Sequence, residues 1–140
     1  MEGKIIVSGK RKEAIARAVI KTGSGKISVN NVPYIHLEMI KRLMIEEPVR
    51  IAKENFGDLK YDIEVIVKGG GQEGQIEAAR LAIARAFVAA MKKDDSKKAE
   101  QLRKAYLMYD RTLLVADIRR KEACKPGDSK ARSKRQKSYR

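Results

Sequence analysis

Residues 61–91 read YDIEVIVK, then GGGQEG, then QIEAARLAIARAFVAAM. The first eight alternate. Tyr61, Ile63, Val65 and Val67 point to one side, while Asp62, Glu64 and Lys68 point to the other with Ile66 beside them. Period-two patterning of this kind specifies a half-buried strand. After the glycines the period lengthens to that of a helix, from about Gln75 to Met91. Its core stripe is Ile76, Ala79, Ile83, Ala86, Phe87 and Ala90. So many alanines permit the helix to lie close against a sheet. Strand, glycine loop and small-faced helix together point to an α+β or split βαβ arrangement.

Working outward, residues 4–8 read as a short strand and residues 9–12 as a basic turn. Residues 14–21 alternate again, with Ala14, Ala16, Ala18 and Ile20 on one face and Ile15, Arg17, Val19 and Lys21 on the other. Residues 22–25 hold two glycines and turn; residues 26–29 are expected to complete a hairpin, and Asn30-Asn31 turns once more. From Leu37 a helical stripe runs through Ile40, Leu43 and Met44. Pro48 ends that helix or starts another. Val49, Ala52 and Phe56 continue to Gly57, a helix stop. A further helix is expected from Ser96 to about Met108, capped by Asp95 or Ser96. Residues 112–118 form a last strand or an ordered extension. The pattern predicts an α+β or split βαβ domain over residues 1–118, a small sheet with helices on one face.

Residues 119–140, RRKEACKPGDSKARSKRQKSYR, differ in kind. They hold ten Lys or Arg against Glu122 and Asp128, and no Leu, Ile, Val, Phe or Met. Such a segment cannot bury enough apolar surface to offset its ordering entropy, so it is expected to be disordered when free. Its net +8 suits a polyanion, and nucleic acid releases counterions on neutralisation. The chain carries +14, so the remaining +6 makes the globular part basic as well.

The same composition excludes much. A single cysteine, Cys124, forbids an internal disulfide and fits a cytosolic setting; a single histidine, His36, leaves no soft metal site to assemble. The N-terminal MEGKIIVSGKRK has no apolar signal region, and no run reaches the length of a membrane span. The GSGK of residues 23–26 is too short for a Walker loop. No nucleophile–base pair can be assigned. Gly69, Gly71 and Gly74 do satisfy G-x-G-x-x-G, which in a dinucleotide fold needs a second strand after the helix, ending in an acid. Asp94 and Asp95 lie at about the right distance but before another helix. The loop is therefore plain turn geometry, or a cradle whose amides hold a nucleic-acid phosphate. A nucleotide-binding enzyme built on residues 69–74 is the alternative reading.

The basic positions make a fuller constellation. Lys10, Arg11 and Lys12 sit at the first turn, Arg17 on a strand face, and Arg80 and Arg85 on the long helix. Those two arginines are about 140° apart around the axis, so they need not share a face. Sparse aromatics argue against a stacking platform for single strands; folded RNA met through phosphate and shape suits the chain better.

SGKRKEAIARAVIKTGSGKISVN resembles the N-terminal motif of the universal ribosomal protein S-nine family. GGGQEGQIEAARLAIARA is similar to that family's glycine loop and helix, LRKAYLMYDRTLLVADIRRKEACKPG to its L-R…D-R…K-P-G segment, and QKSYR to its ending. MYDRTLLVAD and QKSYR resemble the archaeal and eukaryotic branch, and the length fits an archaeal member. The resemblance implies a ribosomal-protein-S5-domain-2-like fold and a non-catalytic place in the cytoplasm, in the head of the small subunit among neighbouring ribosomal proteins. It implies neither cofactor, metal, small-molecule substrate nor membrane. It places small-subunit rRNA of the 3′ major domain against Lys10, Arg11, Lys12, Arg17, Gly69, Gly70, Gly71, Arg80 and Arg85. The tail contacts to the same RNA are Arg119, Arg120, Lys121, Lys125, Lys130, Arg132, Lys134 and Arg135. P-site tRNA falls to Lys137 and Arg140. Residues 121–125, KEACK, are less uniformly basic than the bacterial pattern. Gly71 is expected to need a positive φ.

Overall fold

The computed structural model describes residues 4–57, 60–135 and 139. Five strands form one sheet in the order β1-β2-β5-β3-β4. They are β1 (Ile5–Arg11), β2 (Ala14–Thr22), β3 (Ile27–Val29), β4 (Val32–Pro33) and β5 (Tyr61–Lys68). The helices are α1 (Met39–Phe56), α2 (Gln72–Asp94) and α3 (Ser96–Tyr109). β5 sits at the centre, antiparallel to β2 and parallel to β3.

The alternation read from the sequence sets the buried face. Ala14, Ala16, Ala18 and Ile20 of β2, Ile63, Val65 and Val67 of β5, and Ile27 and Val29 of β3 are all buried. α2 covers this face, and α1 and α3 pack on α2. Every residue of the expected α2 stripe is buried, joined by Ala78, Ala82, Leu81 and Ala84 because sheet and helices enclose α2 from several sides. The small side chains let backbone meet backbone. A Cβ on Gly9 of β1 would sit 2.8 Å from the Ala82 amide nitrogen.

Several local expectations change. Lys10 and Arg11 belong to β1, and the turn is only Lys12-Glu13, with Lys12 at φ 52°. Residues 26–29 do not close a hairpin on β2, because β5 inserts between β2 and β3. Asp62 organises that crossover: its carboxylate accepts from the amides of Ser24 (2.8 Å) and Lys26 (2.9 Å). Those bonds, led by that from Lys26, hold its pKa below the usual carboxylate range. A residue expected to be merely solvated is thus a loop cap. β3 and β5 are immediate neighbours joined through α1, so the βαβ unit is not split. Asn30 and Asn31, at φ 49° and 65°, make the two-residue turn into β4, an edge pairing that the sequence reading missed.

Pro48 neither ends nor begins a helix. It lies inside α1, buried, and its carbonyl accepts a 2.8 Å bond from the Tyr106 hydroxyl of α3. Burial pushes the Tyr106 phenol pKa up. The α1 core positions are Ile45, Val49 and Ala52, whereas Ile40 and Leu43 are exposed. Asp95 caps α3 through the Lys97 amide at 2.9 Å. Residues 111–113 form a single 3-10 turn and then an extended segment rather than a strand. No strand or helix occurs among the described residues of 119–140.

Candidate nucleic-acid interface

All but one of the expected RNA-contacting arginines on the domain, Arg11, Arg80 and Arg85, have protein partners. Arg11 pairs with Glu77 of α2 and Asp117 beyond α3. Arg80 lies 2.5 Å from Glu47 of α1 and 3.1 Å from Asp110. Arg85 donates to the carbonyls of Leu114 (2.9 Å) and Ser8 (2.8 Å). Together they clasp residues 110–117 onto α2 and β1. Partial burial strengthens the attraction within the two ion-paired sets and raises their desolvation cost as well. Asp110 loses some acidity to burial, but its bonds from Thr112 and the Arg80 charge outweigh that and lower its pKa. Asp117 is held well below the carboxylate range by Arg119, through side chain and amide, and then by Arg11. The Arg11 guanidinium is correspondingly raised, first by its bond to Glu77. Arg11 and Asp117 are 106 positions apart in sequence, so no local spacing could have paired them.

The clasp fixes where the tail departs. Arg119 folds back on Asp117 at 2.6 Å and Arg132 pairs with Glu122 at 2.9 Å, while both side chains stay exposed. Arg120, Lys121, Lys125, Lys130, Lys134 and Arg135 are exposed too. Lys137 and Arg140 lie outside the described residues. On the domain, Lys10, Lys12 and Arg17 are exposed and have no carboxylate partner among the described residues. Lys12 stands on the hairpin turn, and Arg17 stands on the sheet face opposite the helices.

The glycine loop connects β5 to α2. Gly69 (φ 78°) and Gly70 (φ 66°) occupy the left-handed region and press on the β1–β2 turn. A Cβ on Gly69 would lie 2.5 Å from the Glu13 carbonyl oxygen. Gly71 departs from expectation: as N-cap of α2 it has φ −102°, and a Cβ there meets nothing. The strained positions are therefore the first two. Gly69→Ala is expected to cost ~1–3 kcal/mol of stability and Gly71→Ala less than about 0.5, read as urea midpoints. Equal shifts would contradict this loop geometry.

The alternative enzyme reading finds little support. After α2 comes α3, and among the described residues no parallel strand follows to complete a dinucleotide fold. Asp95 caps α3 and Asp94 accepts a bond from the Tyr61 hydroxyl. Burial, followed by that bond, pushes the Tyr61 pKa to about 12. A cleft of about 820 Å³ lies at the opposite end of β5 from the loop, lined by Thr22, Phe56, Lys60 and Tyr61. Among the described residues no group of acidic, His or Cys side chains is placed to hold a metal, and no helix is long and apolar enough to cross a membrane.

The chain is similar throughout its length to known proteins. The family model described as ribosomal protein S9/S16 matches residues 9–140. Small ribosomal subunit protein uS9 of Methanothrix thermoacetophila is 46% identical over 95% of this chain and 96% of its own. The protein of the same name from Picrophilus torridus is 44% identical over the whole of both, and that from Thermoplasma volcanium 43% over 97% and 98%. All three sources are archaea, in keeping with the branch that MYDRTLLVAD and QKSYR resemble. A glycine loop between strand and helix, a clasped C-terminal segment and a basic tail thus occur in a chain that belongs to the ribosomal protein S9/S16 family.

Proposed function

We propose that this chain is a structural, non-catalytic constituent of the small ribosomal subunit in the cytoplasm, acting in translation. The small domain, of the S5-domain-2-like class, docks on rRNA of the 3′ major domain beside neighbouring proteins of the subunit head. The tail, disordered when free, orders along that RNA and brings Lys137 and Arg140 to P-site tRNA. One observation carries this reading. While Arg11, Arg80 and Arg85 are bound into the clasp, Lys10, Lys12, Arg17 and the described tail cations are exposed to solvent, and these lie within a match spanning nearly the whole chain. Arg11, Arg80 and Arg85 then act chiefly by aiming the tail, and residues 69–71 by presenting the start of α2 to the backbone. The test is sedimentation of a cell lysate. The chain should travel with small subunits, and a position among free proteins at low salt would overturn the proposal.

Removal of Arg140 alone should leave subunit assembly intact, because nine tail cations remain. P-site tRNA affinity should fall by on the order of 1 kcal/mol, the loss expected for one charge-assisted contact in an interface made of many. An Arg140→Lys chain, assayed alongside, separates fork geometry from charge. Impaired assembly with normal tRNA affinity would assign Arg140 to the rRNA scaffold instead.

A further inference from the structure

The helices cover one face of the sheet, and nothing in the chain's described residues covers the other. Strand register arranges that open face in rows. Lys10, Ile15 and Lys68 form one row across β1, β2 and β5; Ser8, Arg17 and Ile66 form the next; Ile6, Val19 and Glu64 the third. Ile6, Ile15 and Ile66 are 69%, 44% and 52% exposed, and alternation puts all three on this side. Within these rows the unpaired charges are of one sign. Glu64 is neutralised by Lys21 at 3.3 Å, and Asp62 is turned into the loop amides of Ser24 and Lys26. Lys10, Arg17 and Lys68 have no carboxylate partner among the described residues. An apolar strip is therefore framed by unpaired cations.

We infer that this open sheet face is a docking surface for double-helical RNA, gripped across its shallow minor groove. The inference rests on the proposed rRNA role and assigns a surface to it. Lys10 and Lys68 stand on strands two places apart, roughly 10 Å between backbones, on either side of Ile15. That spacing lets cations meet phosphates of both RNA strands while the isoleucines rest on riboses between them. The face carries no aromatic side chain in these rows, so it offers no platform for unstacked bases. A protein partner fits less well, since protein interface cores favour aromatics and exclude lysine.

The test uses the full chain and three variants: Ile15→Thr/Ile66→Thr, Lys10→Gln/Arg17→Gln/Lys68→Gln, and the tail set Lys130→Gln/Arg132→Gln/Lys134→Gln/Arg135→Gln. Threonine keeps strand preference, and melting temperature checks folding. The probes are a transcript of the 3′ major domain, a generic RNA duplex and its single strand. The apolar pair should weaken transcript and duplex binding on the order of tenfold with the salt slope unchanged. The cation triple should lower that slope by about 2. Wild-type affinity in both sheet variants, with binding weakened in the tail variant, would overturn this surface and leave the rRNA role standing. Normal RNA affinity with failure to join subunits would make the face a protein interface, which also overturns it. No transcript binding by the natural chain would sink the rRNA role and this inference together.

Discussion

A chain ending at Ile118 should keep its fold and lose most of its affinity for RNA. The buried hydrophobic side chains run from Ala14 to Leu113, so the described residues of the tail add nothing to the core. The clasp survives as well, because Arg11 still holds Asp117 and Arg85 still holds Leu114. What disappears is ten cations against two acids. Each phosphate contact adds roughly 0.7–0.9 to the log–log dependence of affinity on salt. If six or more contacts form, the full chain should weaken by ~10³–10⁵ between 50 and 200 mM salt. The shortened chain, left with three or so domain cations, should weaken only about tenfold to a hundredfold over that range. Circular dichroism and RNA titration at several salt concentrations check both halves. An unchanged slope would mean that the tail does not meet phosphate.

How much of this was legible depends on the range over which each feature is encoded. β5 and α2 were readable because alternation and the alanine stripe are local, and burial of Ile63, Val65 and Val67 follows directly from period two. The crossover was not, since whether β3 pairs with β2 or β5 depends on a strand more than thirty residues later. The α1 stripe was right at Val49 and Ala52, which are buried, and wrong nearer the start of the helix. Its first turn runs past the core, leaving Ile40 in solvent, while Ile45, one residue beyond the expected stripe, is fully enclosed. Pro48 follows the same rule: its local cost is overridden by burial and by the bond from Tyr106, fifty-eight positions away. The exposure of Arg17 was legible from strand alternation alone. The roles of Arg11, Arg80 and Arg85 were not, because charge is visible in a sequence and its partner is not. Basic residues that fold a protein and basic residues that greet RNA look alike until the acids are placed beside them.

Gly9→Val should be the most damaging single substitution in the domain. Gly9 is buried on β1, opposite Ala16, against Ala78 and Ala82 of α2. A Cβ there would stand 2.8 Å from the Ala82 amide nitrogen and 3.1 Å from the Ala82 Cβ, with the Ala78 carbonyl oxygen nearer still. Two of these obstacles are backbone, so no side-chain rotation relieves them. Either α2 lifts from the sheet or β1 is displaced, and both open the core around Ala78 and Ala82. Overpacking typically costs about 1–3 kcal/mol when side chains can give; a backbone obstacle places this case at about 3 kcal/mol or beyond. Against a total stability of about 5–15 kcal/mol, the melting temperature should fall on the order of 10 °C or more. The damage should also reach the tail. Arg85 holds the Ser8 carbonyl, next to Gly9, with the same guanidinium that holds Leu114. Lifting α2 therefore loosens the clasp from which the tail departs. Denaturant unfolding and amide exchange at residues 114–117 measure the two effects. A Gly9→Val chain with natural stability would mean that α2 does not approach β1 this closely. The small side chains of β2 and α2 would then need another explanation, because close helix–sheet contact is what alanine at those positions permits.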